Sequence, residues 1–478
     1  MLTAVKRMKG FRKPGIMKPD LNYFFEPKGI AVVGVSPDET KGGYSLLKNV
    51  TRGYRGPIYP INPKYKEVMG IKAYPSVSAI EGTADLALIF VPAEHTPKVL
   101  RECVSKGLKG AILENSGFAE VGGHGKALQQ ECLTIAKRGG LRLWGPNCMG
   151  LIDARKGYVF SFMIPALYDG LVIKGGISLI VQSGLLSAGF LFTIMSRQRL
   201  GLAKVCSIGN KLDITETDLL KFLLHDPDTR VIALYLEGFS DGRRFFELAK
   251  SSTKPITFLK GGKSAAGAKA SLSHTASLAG NYQVIRGAFS QARVFEAHDF
   301  FEMMDIAGVL EKGFKGRHAA SMPGRVAILT FSGAFGIVTT DLLEKSGLTL
   351  ASLSQSTVAS LQRLSPDWMP VSNPVDFWPA VEKNGPVLAY RDGLSTLCAD
   401  PHVDGVIIHL FTGSGAWRFD PLEITAGIQD REKPVLTLLL GPKDEVEGQK
   451  KRMEEQGWPV FEELHRLVRA MSLLLQQR

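Results

Sequence analysis

With 478 residues, 45% of them hydrophobic, 22% charged and 51 of them glycine, the chain is too long for one hydrophobic core and too apolar for disorder, so roughly three units of about 150 residues are expected. Five cysteines (Cys103, Cys132, Cys148, Cys206, Cys398) stand without C-x-x-C spacing, which argues against a zinc site and a disulfide framework and for a reducing cytoplasm. The net charge of +12 is spread thinly apart from a terminal run (Lys6, Arg7, Lys9, Arg12, Lys13, Lys18), which disfavours nucleic acid, although the sign of the charge serves an anionic small molecule equally and does not decide between them; no apolar stretch or signal-peptide core points to a membrane.

Residues 1–21 are expected to form a basic tail. Ile30 to Val35 is a short β-branched run ending at a glycine loop, the pattern of a buried parallel strand leaving its sheet. Similar runs at Ala87 to Val91, Ala111 to Leu113 and Leu141 to Trp144 alternate with helical stretches at 96–106 and 124–138, which predicts a doubly wound α/β unit over 22–150. A second series follows over 151–312, with strands at Ile177 to Val181 and near 203–207, 231–236 and 256–259. Its helices fall near 184–199 and 215–224, and 282–312 is helical by period. The Gly/Lys/Arg/Pro-rich segment 313–324 reads as a linker to a third unit, 325–478.

The third unit repeats the second. Ile177 to Ser187 parallels Val326 to Gly336, Val231 to Leu236 parallels Val406 to Phe411, and the segment from Lys254 parallels that from Lys433. The copies diverge after their last paired strand, where 264–280 has no counterpart beyond Lys443.

Candidate functional residues cluster at strand ends. The loop Gly34-Val-Ser-Pro-Asp-Glu-Thr-Lys41-Gly-Gly leaves a strand and opens a helix, where backbone N–H groups can meet a pyrophosphate. It lacks G-x-G-x-x-G, which disfavours a nicotinamide-dependent dehydrogenase; the alternative is a tight turn without ligand. Ile61-Asn62-Pro63-Lys, Val91-Pro92-Ala-Glu and Glu114-Asn-Ser-Gly-Phe should converge on the same crevice. Ser183-Gly184 and Ser332-Gly begin helices without G-x-S-x-G, so they are anion sites or plain N-caps and not a hydrolase elbow. Glu237 ends an apolar strand, and His274 lies among small residues (Ser271 to Gly280), open to a substrate or merely a surface imidazole. A neutral imidazole attacks phosphoryl or acyl groups, and a carboxylate on its other nitrogen fixes the tautomer.

Seven segments in order, Ala31-Val-Val-Gly-Val-Ser, Tyr59-Pro-Ile-Asn-Pro-Lys, Asp85-Leu-Ala-Leu-Ile-Phe-Val-Pro-Ala, Gly145-Pro-Asn-Cys-Met-Gly, Ser207-Ile-Gly-Asn-Lys-Leu-Asp, Leu236-Glu-Gly-Phe-Ser-Asp-Gly-Arg-Arg-Phe and Ser273-His-Thr, carry a resemblance. From about residue 22 onward the chain resembles the α subunits of ADP-forming acyl-CoA (acetyl-CoA) synthetases and, more distantly, the α subunit of succinyl-CoA synthetase. The resemblance implies an N-terminal Rossmann-like CoA-binding domain followed by two flavodoxin-like succinyl-CoA-ligase domains. It implies that Gly34, Ser36, Lys41, Asn62, Pro63, Val91 and Pro92 contact CoA. It also places the phosphohistidine at His274 with Glu237 beside it, the phosphate at the helix start Ser183-Gly184, and Asn147 and Cys148 in a loop approaching that site.

The implied reaction is acid + CoA + ATP ⇌ acyl-CoA + ADP + phosphate, through an acyl phosphate and a phosphohistidine. No ATP-grasp region is recognisable, so an ATP-grasp β subunit is expected to carry ATP/ADP and Mg2+ in a hetero-oligomer or dimer. Ala276 stands where the family usually has glycine, which sets the loop differently if that position needs positive φ. The alternative function is a CoA or acyl-CoA sensor, or the non-catalytic scaffold of a protein-acylating assembly. Phe160, Phe162, Met163 and Trp378 either line an acyl pocket or fill cores.

Overall fold

The computed structural model describes residues 21–168, 173–182, 200–269, 281–312, 324–413, 419–425, 428 and 433–476. Strands β1 (Ile30–Val33), β2 (Ile58–Ile61), β5 (Leu86–Ile89), β6 (Gly110–Leu113) and β7 (Arg142–Trp144) form the first sheet, in the parallel order β2-β1-β5-β6-β7. A small hairpin, β3 (Glu67–Val68) with β4 (Ile71–Lys72), stands off it. The four residues of β1, β5 and β6 are buried throughout, as their uninterrupted apolar runs require of strands covered by helices on both faces.

The second sheet contains β8 (Leu151–Asp153), β9 (Tyr158–Phe160), β10 (Lys174–Val181), β11 (Leu202–Ser207), β12 (Val231–Leu236), β13 (Ile256–Lys260) and β14 (Phe295–Ala297), in the order β14-β13-β12-β10-β11-β8-β9. Two features differ from the expectation. The hairpin β8–β9 adds antiparallel strands to the edge at β11, so this sheet is mixed. The stretch 282–312 is not one helix: Tyr282–Gln291 ends at Ala292, Arg293 turns with φ 53°, β14 pairs with β13, and Phe300–Glu311 follows with Asp299 capping the Glu302 N–H. Phe295 and Ala297 face the core on alternate positions, a period of two that a helical count across 30 residues smooths away.

The third sheet holds β15 (Arg325–Thr330), β16 (Thr349–Leu350), β17 (Val375–Asp376), β18 (Gly405–Phe411), β19 (Val435–Leu440) and β20 (Val460–Phe461), with the path β16-β15-β18-β19-β20 and β17 beside β15. Leaving aside the hairpin β8–β9 and the two-residue β17, and numbering the remaining strands of each sheet in chain order, all three have the order 2-1-3-4-5. The repeat seen between the second and third units therefore extends, as topology, to the first. In that order the chain reverses direction between strands 1 and 3, and the crevice at their carboxyl ends is the natural ligand position.

The first and second sheets share one apolar cluster running from Leu21 and Trp144 to Phe222 and Phe258, with Phe25 stacked on Phe222 at 4.4 Å. The second and third units join through Phe300–Glu311 and the helix Leu464–Leu475. There Arg466 makes two 2.6 Å bonds to Asp305, and Arg469 reaches Glu302 at 2.7 Å. Among the described residues no helix is long and apolar enough to cross a membrane.

Candidate active site

The first crevice opens between β1 and β5, where Gly34 follows one strand and Phe90-Val91-Pro92 the other. Gly34 has φ +92° and a Cβ there would stand 2.1 Å from the Phe90 carbonyl oxygen, while a Cβ on Gly43 would stand 2.1 Å from the Gly34 oxygen. The strand-end loop and the helix Gly42–Gly53 thus meet backbone to backbone, which only glycine permits. Among the described residues no side chain caps this helix, and its first-turn N–H groups are the donors expected to meet an anion.

The crevice collects the sequence candidates in different ways. Ser36 is buried and its Oγ accepts the Asp38 N–H at 3.1 Å. Lys41 is exposed with Nζ 3.7 Å from Asp38. The Asn62 amide donates to the Val35 carbonyl at 2.7 Å, and its Oδ1 accepts the Lys64 N–H at 2.9 Å, so Asn62 shapes the Gly34 loop with its side chain. Pro63 and Pro92 lie exposed at the rim and Val91 is half-buried. The geometry suits a phosphate-bearing ligand met mainly by backbone.

In the second unit the corresponding crevice lies between β10 and β12, beyond Gln182 and Glu237. Glu237 is buried; its N–H donates to Gln182 Oε1 at 2.9 Å and its Oε1 accepts the Tyr235 hydroxyl at 3.4 Å. Two lysines hold the turn that follows. Lys260 Nζ donates to the Glu237 carbonyl at 2.6 Å and also to that of Gly261, and Lys211 Nζ donates to the Gly238 carbonyl at 2.7 Å. Lys211 is paired with Glu216 at 3.1 Å and Lys263 with Glu296 at 2.8 Å. Burial pulls the Lys260 ammonium down to about 8; Lys211 and Lys263 add to this and Glu237 opposes it. The carboxylate therefore ends its strand beside three lysines, two of them balanced by glutamates and the third, Lys260, holding the main chain of the turn.

The loop Gly145–Gly150 links the two crevices. Asn147 has φ 55° and its N–H donates to the Asn115 carbonyl at 3.0 Å. Gly209 and Asn210 pack on this loop: Asn210 donates its N–H to Pro146 O at 2.9 Å and its amide to Glu120 Oε2 at 2.6 Å. Burial alone would raise the Glu120 carboxyl, but Asn210 and the N–H groups of Phe118 and Gly117 hold it below the usual range. Cys148 shares the loop, yet its thiol is buried 3.3 Å from the Leu113 carbonyl and burial pushes its ionisation far up, so only its main chain faces the crevice side. Ser183, Gly184 and His274 lie outside the described residues, as do Ala276 and the expected helix near 184–199.

The first unit matches the CoA binding domain family over residues 28–154, and the second matches the succinyl-CoA ligase like flavodoxin domain family over 174–310. Acetate–CoA ligase (ADP-forming) II subunit alpha of Pyrococcus furiosus is 37% identical over 470 residues, which cover 96% of this chain and 98% of that one. The chain belongs to the α-subunit family of ADP-forming acetate–CoA ligases. A second relative, acetate–CoA ligase (ADP-forming) II of Archaeoglobus fulgidus, is 35% identical over 93% of this chain, which spans only 65% of that longer protein. Among solved structures, a dinucleotide forming acetyl-coenzyme A synthetase 1 of Candidatus Korarchaeum cryptofilum, in complex with phosphate and ADP, superposes with TM-score 0.82 at 31% identity, covering 95% of this chain and 96% of its own. A Pyrococcus horikoshii protein does so at 0.80 with 33% identity, covering 96% and 98%.

For this member of the ligase family, sequence reading missed Gln182, Lys211 and Lys260. The signal for Lys260 was a lysine closing the apolar run Ile256 to Leu259, a place where a charge is costly unless used. Gln182 stands between a strand and Ser183, and only the β10–β12 pairing shows that it meets Glu237.

Proposed function

We propose that the chain is the CoA-binding, phosphohistidine-carrying subunit of an ADP-forming acyl-CoA synthetase, an acid–thiol ligase that interconverts acid, CoA and ATP with acyl-CoA, ADP and phosphate. The end-to-end match to the Pyrococcus furiosus α subunit carries this reading, and the two crevices support it. CoA lies in the first, its phosphates on the N–H groups after Gly34 and at Gly42, flanked by Ser36, Lys41, Asn62, Pro63, Val91 and Pro92. The acyl phosphate forms between the crevices beside Asn147 and Cys148, and its phosphoryl group passes to His274, with Ser183 and Gly184 receiving the phosphate oxygens. Glu237 orients the imidazole and balances the charge that develops on it.

The partner is an ATP-grasp subunit holding ATP/ADP and Mg2+ in a cytoplasmic hetero-oligomer. Residues 22–150, 151–312 and 325–478 act as the three units, with 1–21 as a tail and 313–324 as a linker. Incubating the chain with acyl-CoA and radiolabelled phosphate, with and without an ATP-grasp partner, tests the proposal. An acid-labile, base-stable label absent from His274→Ala is expected. Equal labelling of His274→Ala would overturn the assignment, and no label even with partner present would favour an acyl-CoA sensor.

A further inference from the structure

Between the two crevices lies a short segment that no family motif covers, Ser161-Phe162-Met163, and three hydrogen bonds from the first unit grip it. Asn49, on the helix that starts at the glycine loop, donates its amide to the carbonyls of Ser161 and Met163, both at 2.7 Å. Glu114, at the end of β6, accepts the Phe162 N–H at 2.8 Å. Held this way, the Phe162 ring stacks on Phe90 at 4.4 Å with 23° between planes. Both rings press on the first residue of that helix, since a Cβ on Gly42 would stand 2.5 Å from Phe90 and 3.3 Å from Phe162. Glu114 also touches the other side, its Oε1 lying 2.9 Å from where a Gly150 Cβ would be, in the loop that carries Asn147. The aromatic pair therefore stands between the start of the CoA helix and the loop approaching Glu237.

We propose that Phe162 and Phe90 form the wall that limits the size of the acyl group, and that Glu114 is a positioning residue holding Phe162 in that wall. The inference rests on the acyl-CoA ligase reading and adds to it the residues that set the size limit of the acyl site. Glu114 suits the role as a neutral acid. It is 3% exposed, its Oε1 has no hydrogen-bond partner among the described residues, and burial raises its ionisation well above the ordinary value, offset only by the Phe162 N–H. The titratable groups facing it, Cys148 and Tyr168, are themselves pushed towards neutrality by burial. A neutral carboxyl can hold a backbone N–H at the foot of an apolar pocket without a counter-ion.

Calorimetric titration of the full chain with CoA, acetyl-CoA, hexanoyl-CoA and benzoyl-CoA tests this. Wild type should favour acetyl-CoA over the bulky thioesters. Phe162→Ala should erase that preference, by at least about tenfold in the ratio of dissociation constants, while affinity for free CoA stays within twofold. Phe162→Leu, which keeps more of the packing, should shift the ratio the same way by less. Glu114→Leu should relax the preference as Phe162→Ala does, and Glu114→Gln, which still accepts the N–H, should restore it. An unchanged ratio in folded Phe162→Leu and Phe162→Ala overturns the wall, and a Glu114→Leu profile like wild type overturns the tether. Absence of free CoA binding in wild type would instead sink the ligase reading, and this inference with it.

Discussion

Gly43→Ala tests the backbone contact on which the CoA crevice depends. The new Cβ would stand 2.1 Å from Gly34 O, 3.1 Å from Gly34 C and 3.3 Å from Val35 Cα, against 3.4 Å for the start of ordinary contact. Loop and helix must therefore separate by about 1.3 Å, and because the obstructing atoms are backbone no side-chain rotation relieves them, so about 1–3 kcal/mol of stability should be lost. The same displacement pulls the N–H groups of the helix start off the phosphate. One lost bond to a charged group is worth about 1.5–3 kcal/mol, or roughly ten- to hundredfold in the dissociation constant for CoA. Gly123→Ala is the control: it also opens a helix, but a Cβ there meets nothing within 4 Å, so CoA affinity should hold and stability should stay level or rise by up to about 1 kcal/mol. Calorimetry with CoA and urea denaturation read both effects. Wild-type CoA affinity in Gly43→Ala, with an unmoved urea midpoint, would refute the reasoning.

Glu237→Gln should lower phosphohistidine formation by roughly a hundredfold, the scale of a lost catalytic electrostatic contact, with CoA binding unaffected; label incorporation in the assay above measures it. Arg466→Met removes two charge-assisted bonds to Asp305, whose side chain is 7% exposed, and should cost about 1.5–3 kcal/mol. Urea denaturation should show part of that loss returning in the double variant with Asp305→Asn. For Glu114 the folded-state ionisation lies above the unfolded value, so its contribution is full below about 4.3 and falls away as pH rises through the raised folded value. Glu114→Gln has no such loss, so its stability relative to wild type should climb with pH from that point upward. A flat difference between the two proteins across the series would remove the premise that this carboxyl is buried and neutral.

The strand ends were legible because buried parallel strands are short apolar runs cut off by glycine or proline, and Gly34, Glu237 and the Phe90-Val91-Pro92 turn all sit at such cuts. Crossover strands in the order 2-1-3-4-5 then place Gly34 next to Val91, and Gln182 next to Glu237, a neighbourhood that local spacing cannot express. The hairpin β8–β9 went unread since its three-residue strands flank a turn (Ala154 to Gly157) and resemble loop in any long window. Side-chain direction was the least legible property. Asn62 and Cys148 sit in the expected loops, but one side chain ties down the Val35 carbonyl and the other turns into β6. Lys211 was hidden for a related reason, since its ammonium acts on the main-chain carbonyl of Gly238, and the lysine that closes the run Ile256 to Leu259 marks Lys260 as used without showing that it meets the Glu237 carbonyl.

The three crevices share a topology and differ in what they bury. The register of β12 on β13 pairs Leu236 with Lys260, and that of β18 on β19 pairs Phe411 with Leu440, so Thr412 stands where Glu237 does and Leu440 where Lys260 does. In the third unit His409 is fully buried between Thr330 at 3.0 Å and Thr339 at 3.3 Å, and burial lowers its pKa to about 4, which keeps it neutral, while the Asp376 carboxylate stands at the helix start, 3.1 Å from where a Gly333 Cβ would be. In the first unit the crevice is built by glycine contacts, and its lysine lies exposed at the rim. Among the described residues, only the second crevice places an ammonium and a carboxylate together in the interior, where each ion costs several kcal/mol to desolvate. Since the same strand order closes in the third unit with a threonine and a leucine at those two positions, the fold does not require the charges. Their presence between β12 and β13 sets the second crevice apart from the third and supports the proposal that places phosphoryl chemistry in the second unit.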